Sequence, residues 1–83
     1  MSANDNHQPL PPFPPGSPRR GEVWHHIRTG RPYQIVTLAY DEATLDHCVI
    51  YQTHWGEGFA WSRPLAEFAQ KFEFRGNVPL SPA

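Results

Sequence analysis

The stretch Trp61-Ser62-Arg63-Pro64-Leu65 decides the fold of this 83-residue chain. A large aromatic ring and an arginine stand two positions apart, and a proline, which cannot donate to a strand ladder, follows them. Side chains two apart on a β-strand point to the same face of the sheet. The pattern therefore predicts the end of a strand that presents Trp61 and Arg63 together.

The residues before this stretch extend the same pattern. The segment from Val49 to Trp55 is rich in β-branched and aromatic residues, which favour strands. Tyr51 and Trp55 occupy odd positions in it, so we expect them to extend the face of Trp61 and Arg63. The predicted strands are Glu22–Ile27, Tyr33–Tyr40, His47–Trp55 and Phe59–Arg63; turns are predicted at Arg28–Pro32 and Gly56–Gly58, and a loop or one helical turn at Asp41–Asp46.

The apolar period changes after Pro64. Leu65, Phe68, Ala69 and Phe72 fall at the spacing of one helix face, which predicts a short helix with proline at its first turn. Phe72–Phe74 is expected to form a last short strand. The fold class is mainly β, either a small SH3-like barrel or a strongly bent antiparallel sheet of about five strands with one short helix.

Composition divides the chain into three parts. Residues 1–20 hold most of the ten prolines and few large apolar side chains, so we expect a disordered, proline-rich tail that adds nothing to the core. Residues 21–79 form the predicted β-domain, and residues 80–83 a frayed end. The tail also contains Pro15-Gly16-Ser17-Pro18-Arg19-Arg20, which fits a Pro-x-x-Pro-x-Arg ligand of SH3-type grooves, against the simpler interpretation of a spacer.

Charge and cysteine content exclude several classes of protein. The formal net charge is −1, so bulk charge gives no attraction to nucleic acid or to anionic membranes. A single cysteine, Cys48, excludes an intramolecular disulfide framework and suits a reducing compartment. No apolar run approaches the length of a membrane span. We therefore expect a cytoplasmic protein with no membrane partner.

The motifs of the chain are Trp24-His25-His26, Gly30, Tyr33-Gln34-Ile35-Val36, Ala39, Glu42, Val49-Ile50-Tyr51-Gln52, Trp61-Ser62-Arg63-Pro64 and Phe68. Together they resemble the motifs of an uncharacterised bacterial family known as domain of unknown function 1653, and the resemblance covers Gly21 to about Pro79. The chain departs from the family pattern where His26 to Gly30 replaces a compact His–Tyr–Lys–Gly turn, and where Pro79 is followed by Leu80 rather than arginine. The resemblance implies a fold and a shared surface, and no activity.

Metal and nucleophile sites are disfavoured by the spacing of their residues. Neighbouring side chains on a strand diverge, which separates His25 from His26 and His47 from Cys48. His54 lies an odd number of positions from His47, so we expect no metal site and no cofactor. For the same reason His47 cannot activate the Cys48 thiol without a bulge.

The candidate ligand-binding residues are Trp61, Arg63, Tyr51, Trp55, His25, His26 and Glu42. Trp61 and Arg63 lead the set, because a ring and a guanidinium on one face can stack a planar group and grip a carboxylate or phosphate. The competing interpretation makes Trp61 and Tyr51 core residues, with the stem of Arg63 packed over them.

We therefore predict a non-catalytic binding module with an aromatic and arginine face for a small ligand or a protein partner. One alternative is a module that binds single-stranded nucleic acid by stacking, although net charge does not favour it. The other is a small enzyme or accessory protein in which Glu42, His26 and Arg63 converge. That convergence requires the acidic loop to fold back over the first and fourth strands.

Overall fold

The computed structural model describes residues 9–53 and 58–76 and contains one sheet and one helix. The elements in chain order are β1 (Val23–His26), β2 (Pro32–Tyr40), β3 (His47–Thr53), β4 (Ala60–Pro64), α1 (Leu65–Lys71) and β5 (Phe72–Phe74). Neighbouring strands are antiparallel, in the order β4-β3-β2-β1-β5. The predicted mainly β fold of about five strands with one short helix is confirmed.

Within residues 9–53 and 58–76 the sheet does not close into a barrel, and the observed fold is the second predicted alternative, a strongly bent sheet. β4 and β5 are its two outer strands, and α1 connects them while packing against β3, β4 and β5. A bulge between Ile35 and Thr37 shifts the register of β2 against β3, and such bulges increase strand twist. The helix packs on one face of the bent sheet, here called the concave face.

The core is formed where α1 meets the concave face. Its buried side chains are Ile35, Val49, Tyr51, Phe68 and Phe72, with Trp24, Tyr33, Leu38 and Leu65 packed around them. Phe68 and Phe72 stack with ring centroids 4.2 Å apart and an interplanar angle of 6°. Aromatic rings therefore supply most of the apolar area that a domain of this size needs to bury.

The helix is one residue shorter than its apolar period. The predicted face ran from Leu65 to Phe72, but Phe72 has extended backbone angles, φ −128° and ψ 153°, and begins β5 opposite His26. The Lys71 carbonyl accepts the Ile27 N–H at 2.8 Å, which ties the end of α1 to the end of β1. Pairing with the sheet edge thus ends the helix while leaving Phe72 in the core.

The β1–β2 turn is built as the sequence indicated. Gly30 has a φ of +76°, a value that residues with a Cβ rarely adopt, and its N–H donates to the His26 carbonyl at 2.7 Å. The His26 N–H in turn donates to the Arg31 carbonyl at 2.9 Å. The turn therefore holds the backbone of His26 at a defined position on the edge of the concave face.

Residues 11–18, here called the strap, lie against the domain. The Pro11 carbonyl accepts hydrogen bonds from the Tyr40 hydroxyl at 2.8 Å and from His47 Nε2 at 2.9 Å. The Phe13 ring lies 4.1 Å from the His47 ring, and Pro18 is buried. The strap therefore packs on the surface of the domain, while the core cluster contains none of its residues. The boundaries 1–20, 21–79 and 80–83 stay a prediction, and residues 1–8 and 77–83 lie outside the described residues.

We expect Phe13→Ala to lower the free energy of unfolding by about 1 kcal/mol, since its half-buried ring gives up contacts with two aromatic neighbours. Leu10→Ala is the matched control, because Leu10 is 52 % exposed and should change stability by less than about 0.5 kcal/mol. Urea unfolding followed by tryptophan fluorescence measures both. Equal midpoints for Phe13→Ala and the unmodified chain would show that the strap contributes nothing.

No helix within residues 9–53 and 58–76 has the length and the apolar character that crossing a membrane requires.

Candidate functional site

One end of the concave face is left uncovered by the helix and the strap, and it contains a cleft of about 240 Å³. Its lining residues are His26, Tyr33, Tyr51, Trp61, Arg63 and Phe72. They come from β1, β2, β3, β4 and β5, so every strand of the sheet supplies at least one side chain. The term open cleft is used below for this set.

Strand register brings the leading candidates together. Trp61 lies directly opposite Tyr51 in the β3–β4 pair, and Arg63 lies opposite Val49. Since directly paired residues of antiparallel strands share a face, Trp61, Arg63 and Tyr51 all point into the concave side. The prediction that these three residues share a face is confirmed.

The two residues of the predicted aromatic pair have different environments. Tyr51 is 4 % exposed and belongs to the core, whereas Trp61 is 50 % exposed. The interpretation of Tyr51 as a core residue is therefore right, and the same interpretation of Trp61 is wrong. Phe68 of α1 packs 5.3 Å from the Tyr51 ring, whereas Trp61 lies on the outer strand β4 and keeps half of its surface in water.

We expect Trp61→Ala to reduce the free energy of unfolding by only about 1 kcal/mol, because about half of the ring area is already in water. A fully buried ring would have cost roughly 3–5 kcal/mol. Chemical unfolding monitored by circular dichroism distinguishes the two values. A loss in the higher range would mean that Trp61 is part of the core in solution.

The floor of the open cleft is a cluster of three rings. Tyr33 and Tyr51 lie 5.5 Å apart in an edge-to-face arrangement, and Phe72 lies 5.4 Å from Tyr33 and 5.1 Å from Tyr51. His26 meets the Phe72 ring edge-on at 5.0 Å. These contacts hold the rings in fixed orientations and give the cleft a rigid aromatic surface.

Arg63 is the cationic group of the cleft. Its Nε–H donates to the Tyr51 hydroxyl at 3.1 Å, and its Nη1–H donates to Glu67 Oε1 at 3.3 Å. Its Cζ also lies 6.0 Å from the centre of the Phe72 ring, at the outer limit of a cation–π contact. A guanidinium has five N–H donors, so these two hydrogen bonds leave donors for a ligand.

The hydrogen bond to Tyr51 raises the pKa of Arg63 above its ordinary value, and the nearby Glu67 carboxylate acts in the same direction. Because the folded-state pKa is raised, the stabilisation is fully present below the ordinary pKa of arginine and is lost only at higher pH. Arg63 therefore stays cationic throughout the neutral range.

Glu67, and not Glu42, is the carboxylate partner of Arg63. The Arg63–Glu67 pair joins the end of β4 to the first turn of α1, with the Glu67 side chain 56 % exposed. An exposed pair of this kind contributes little to stability, typically less than about 1 kcal/mol. It does fix the direction of the guanidinium, and its solvent-exposed carboxylate can be displaced by another anion.

Glu42 is not brought to the open cleft. It lies in the exposed turn after β2, beyond Tyr40, whereas the cleft residue Tyr33 is near the other end of that strand. Seven residues of extended strand separate these ends by roughly 20 Å. The Asp41 carboxylate, which accepts the Ala43 N–H at 2.9 Å and the Thr44 N–H at 3.1 Å, holds the turn in its own hydrogen bonds. Glu42, His26 and Arg63 therefore do not converge.

His25 and His26 point to opposite faces, as expected for neighbours on a strand. His26 lines the open cleft, and its Nδ1 accepts the Thr29 N–H at 3.3 Å. In the neutral ring the proton is then on Nε2, which is able to donate to a ligand. His25 is not a lining residue, and the predicted site residue Trp55 lies outside the described residues together with His54.

Sequence reasoning missed Tyr33, Phe72 and Glu67. Tyr33 lies in the cleft because β2 pairs with β1, which places Tyr33 opposite Trp24. Phe72 lies there because β5 pairs with β1, which places Phe72 opposite His26. The alternation of side chains along the predicted second strand could have indicated the face on which Tyr33 lies. The return of β5 to β1 and the approach of α1 to Arg63 depend on tertiary packing and had no local signal.

Among the residues that the structure describes, no three His, Cys, Asp or Glu side chains lie close enough together to hold a metal ion. The expectation of a metal-free domain stays a prediction, which a chelator titration monitored by circular dichroism can test.

Comparison with protein-family models matches residues 22–79 to a family described as a protein of unknown function, DUF1653. No curated protein and no solved structure matches the chain. The matched residues include all five strands, the helix and the open cleft, and they begin after the strap.

Proposed function

Because this chain belongs to the DUF1653 family, which carries no assigned activity, its own geometry has to support a function, and we propose a non-catalytic binding module. Its open cleft binds a carboxylate group of a small ligand or of a protein partner. The carrying observation is that Arg63, the Tyr51 hydroxyl and His26 meet over a floor of aromatic rings beside the exposed Trp61.

The donors of the cleft match an anion. Arg63 supplies N–H groups in a planar fork, which suits the two oxygens of a carboxylate. The Tyr51 hydroxyl oxygen already accepts from Arg63, so its hydrogen points elsewhere, and His26 Nε2 adds a further donor. A ligand carboxylate takes the place that Glu67 Oε1 holds in the free protein.

The exposed rings of Trp61 in β4 and of Phe59, just before that strand, match a planar group attached to that carboxylate. Trp61 is 50 % exposed and Phe59, two residues earlier, is 68 % exposed. Exposed aromatic rings next to a polar cleft are typical of binding surfaces. Stacking on Trp61 while the carboxylate reaches Arg63 uses both features at once.

The two alternatives find less support. The enzyme hypothesis relied on Glu42, which the fold separates from His26 and Arg63. The nucleic-acid hypothesis requires several cations along a groove, whereas the cleft holds one guanidinium that is already paired with Glu67. We keep the cytoplasm as the expected location, on the basis of cysteine content alone.

Titration of the ¹⁵N-labelled full chain with benzoate tests the proposal, with the neutral amide benzamide as the matched control. We expect benzoate to shift the Trp61 indole N–H signal and the Arg63 Nε–H signal, because the aryl ring stacks while the carboxylate accepts from the guanidinium. Benzamide should shift them far less. Similar shifts with both compounds, or none with either, would contradict a carboxylate site.

A further inference from the structure

The strap covers a second aromatic surface of the concave face, at the end of β2 opposite the open cleft. This surface, here called the strap groove, is formed by Tyr40, His47, Trp24, Leu65 and Ala69. We propose that the strap groove is a receptor for proline-rich peptide segments, that the strap is its internal occupant, and that a proline-rich segment of another protein replaces the strap by competition.

The Pro11 carbonyl makes contacts that suit a proline-rich ligand. Proline-rich chains lack most backbone N–H donors and present their carbonyl oxygens to solvent, so a receptor has to offer donors. The Tyr40 hydroxyl and His47 Nε2 both donate to the Pro11 carbonyl, at 2.8 and 2.9 Å. One carbonyl thereby uses both of its lone pairs, as in a recognised ligand rather than a loose tail.

An aromatic pocket lies next to the Pro11 carbonyl. The Phe13 ring lies 4.1 Å from the His47 ring and 5.2 Å from the Tyr40 ring, while those two rings lie 5.5 Å apart. The groove residues that donate to the backbone therefore also pack against the side chain two positions later. The groove is therefore suited to recognise the sequence Pro-x-Phe, because it binds the proline carbonyl and the phenylalanine ring together.

The strap continues through a tight turn towards the helix. The Ser17 N–H donates to the Pro14 carbonyl at 3.2 Å, and Gly16 has a φ of +85°, which makes Pro14–Ser17 a tight turn. The turn delivers Pro18, which is buried, to the surface of Trp24 and Leu65. The segment with the Pro-x-x-Pro-x-Arg pattern thus lies on its own domain.

The strap fills its groove incompletely. A cavity of about 150 Å³ remains between residues 14–18 and the side chains of Trp24, Leu65, Phe68 and Ala69. A second cavity, of about 530 Å³, lies between Pro14, His47 and Leu65. Both spaces are open to solvent, so a segment with larger apolar side chains at these positions would bury surface that the strap leaves exposed.

The strap has one advantage over an external peptide, which is its covalent attachment. A short tether gives an effective concentration in the millimolar range, so the unmodified chain should bind an external copy of its own strap only weakly. Weakening the strap without altering the groove should therefore expose the receptor. Phe13 is the side chain to remove, because it contacts the groove but belongs to the strap and forms no part of the groove itself.

The test uses a dye-labelled peptide with the sequence of residues 9–18 and fluorescence anisotropy with the full chain. We expect the full-chain variant Phe13→Ala to bind this peptide about fivefold more tightly than the unmodified chain does. Adding Tyr40→Phe, which removes one donor to the Pro11 carbonyl and keeps the ring, should reverse most of that gain. A peptide in which Phe13 is replaced by alanine is the matched ligand control and should not bind.

Three outcomes would overturn the proposal. One is equal peptide affinity for Phe13→Ala and the unmodified chain, and another is affinity that Tyr40→Phe does not change. The third is dimerisation of the unmodified chain with rising concentration in size-exclusion chromatography, which would make a second copy the occupant. If Phe13→Ala does not fold, the milder full-chain variant Phe13→Leu keeps the test decisive, because it removes the ring contacts of the strap without altering the groove. It should still bind the peptide more tightly than the unmodified chain, and unchanged affinity would overturn the proposal.

Discussion

Phe68→Ala is expected to destabilise the domain by about 3–5 kcal/mol, which for a domain of this size approaches its whole stability. Phe68 is 0 % exposed and stacks on Phe72 at 4.2 Å. It also contacts the rings of Trp24 at 5.4 Å and Tyr51 at 5.3 Å. Removing it leaves a cavity between α1 and the sheet that rigid neighbouring rings cannot fill.

Phe59→Ala is the matched control for this experiment, because it makes the same chemical change at a ring that is 68 % exposed. We expect a change below about 0.5 kcal/mol for it. Urea unfolding monitored by far-ultraviolet circular dichroism measures both variants. Equal losses for the two phenylalanines would contradict the packing of α1 on the concave face.

Arg63→Lys is expected to weaken benzoate binding at least tenfold, which corresponds to about 1.4 kcal/mol. Lysine keeps the charge but replaces the planar fork by a single ammonium group. It cannot donate to the Tyr51 hydroxyl and to a ligand carboxylate in the geometry that Arg63 adopts. Stability should change by less than about 1 kcal/mol, since the pair with Glu67 is largely exposed.

Arg75→Lys provides the matched control. Arg75 also pairs with a glutamate, since its Nε–H donates to Glu73 Oε2 at 2.9 Å, but it does not line the open cleft. Chemical-shift titration with benzoate should give the same dissociation constant for this variant as for the unmodified chain. Undiminished binding by Arg63→Lys would reduce Arg63 to a generic surface cation, and the carboxylate site would be lost with it.

The elements of the fold were predictable because their signals are local. Alternating β-branched and aromatic residues predicted all five strands, and the apolar spacing after Pro64 predicted the helix. The bounds shifted by a residue or two where strand pairing extends or ends an element. Gly30 was identified as a turn residue with positive φ because a side chain is disfavoured there.

The face shared by Trp61, Arg63 and Tyr51 was also predictable, because alternation along a strand is a local property that pairing preserves. The burial of each ring was not. Tyr51 and Trp61 face each other across two strands, yet α1 packs over the first and leaves the second half exposed. Burial depends on which element covers a position, and no short-range pattern contains that information.

Sequence therefore determined the type and order of the elements and the set of side chains available to one face. Tertiary structure decided the rest: the return of Phe72 to β1, the choice of Glu67 over Glu42 for Arg63, and the docking of the strap on Tyr40 and His47. The physical reason is range. Backbone preference and side-chain alternation act within a few residues, whereas a cleft and a groove are made by contacts between residues far apart in the chain.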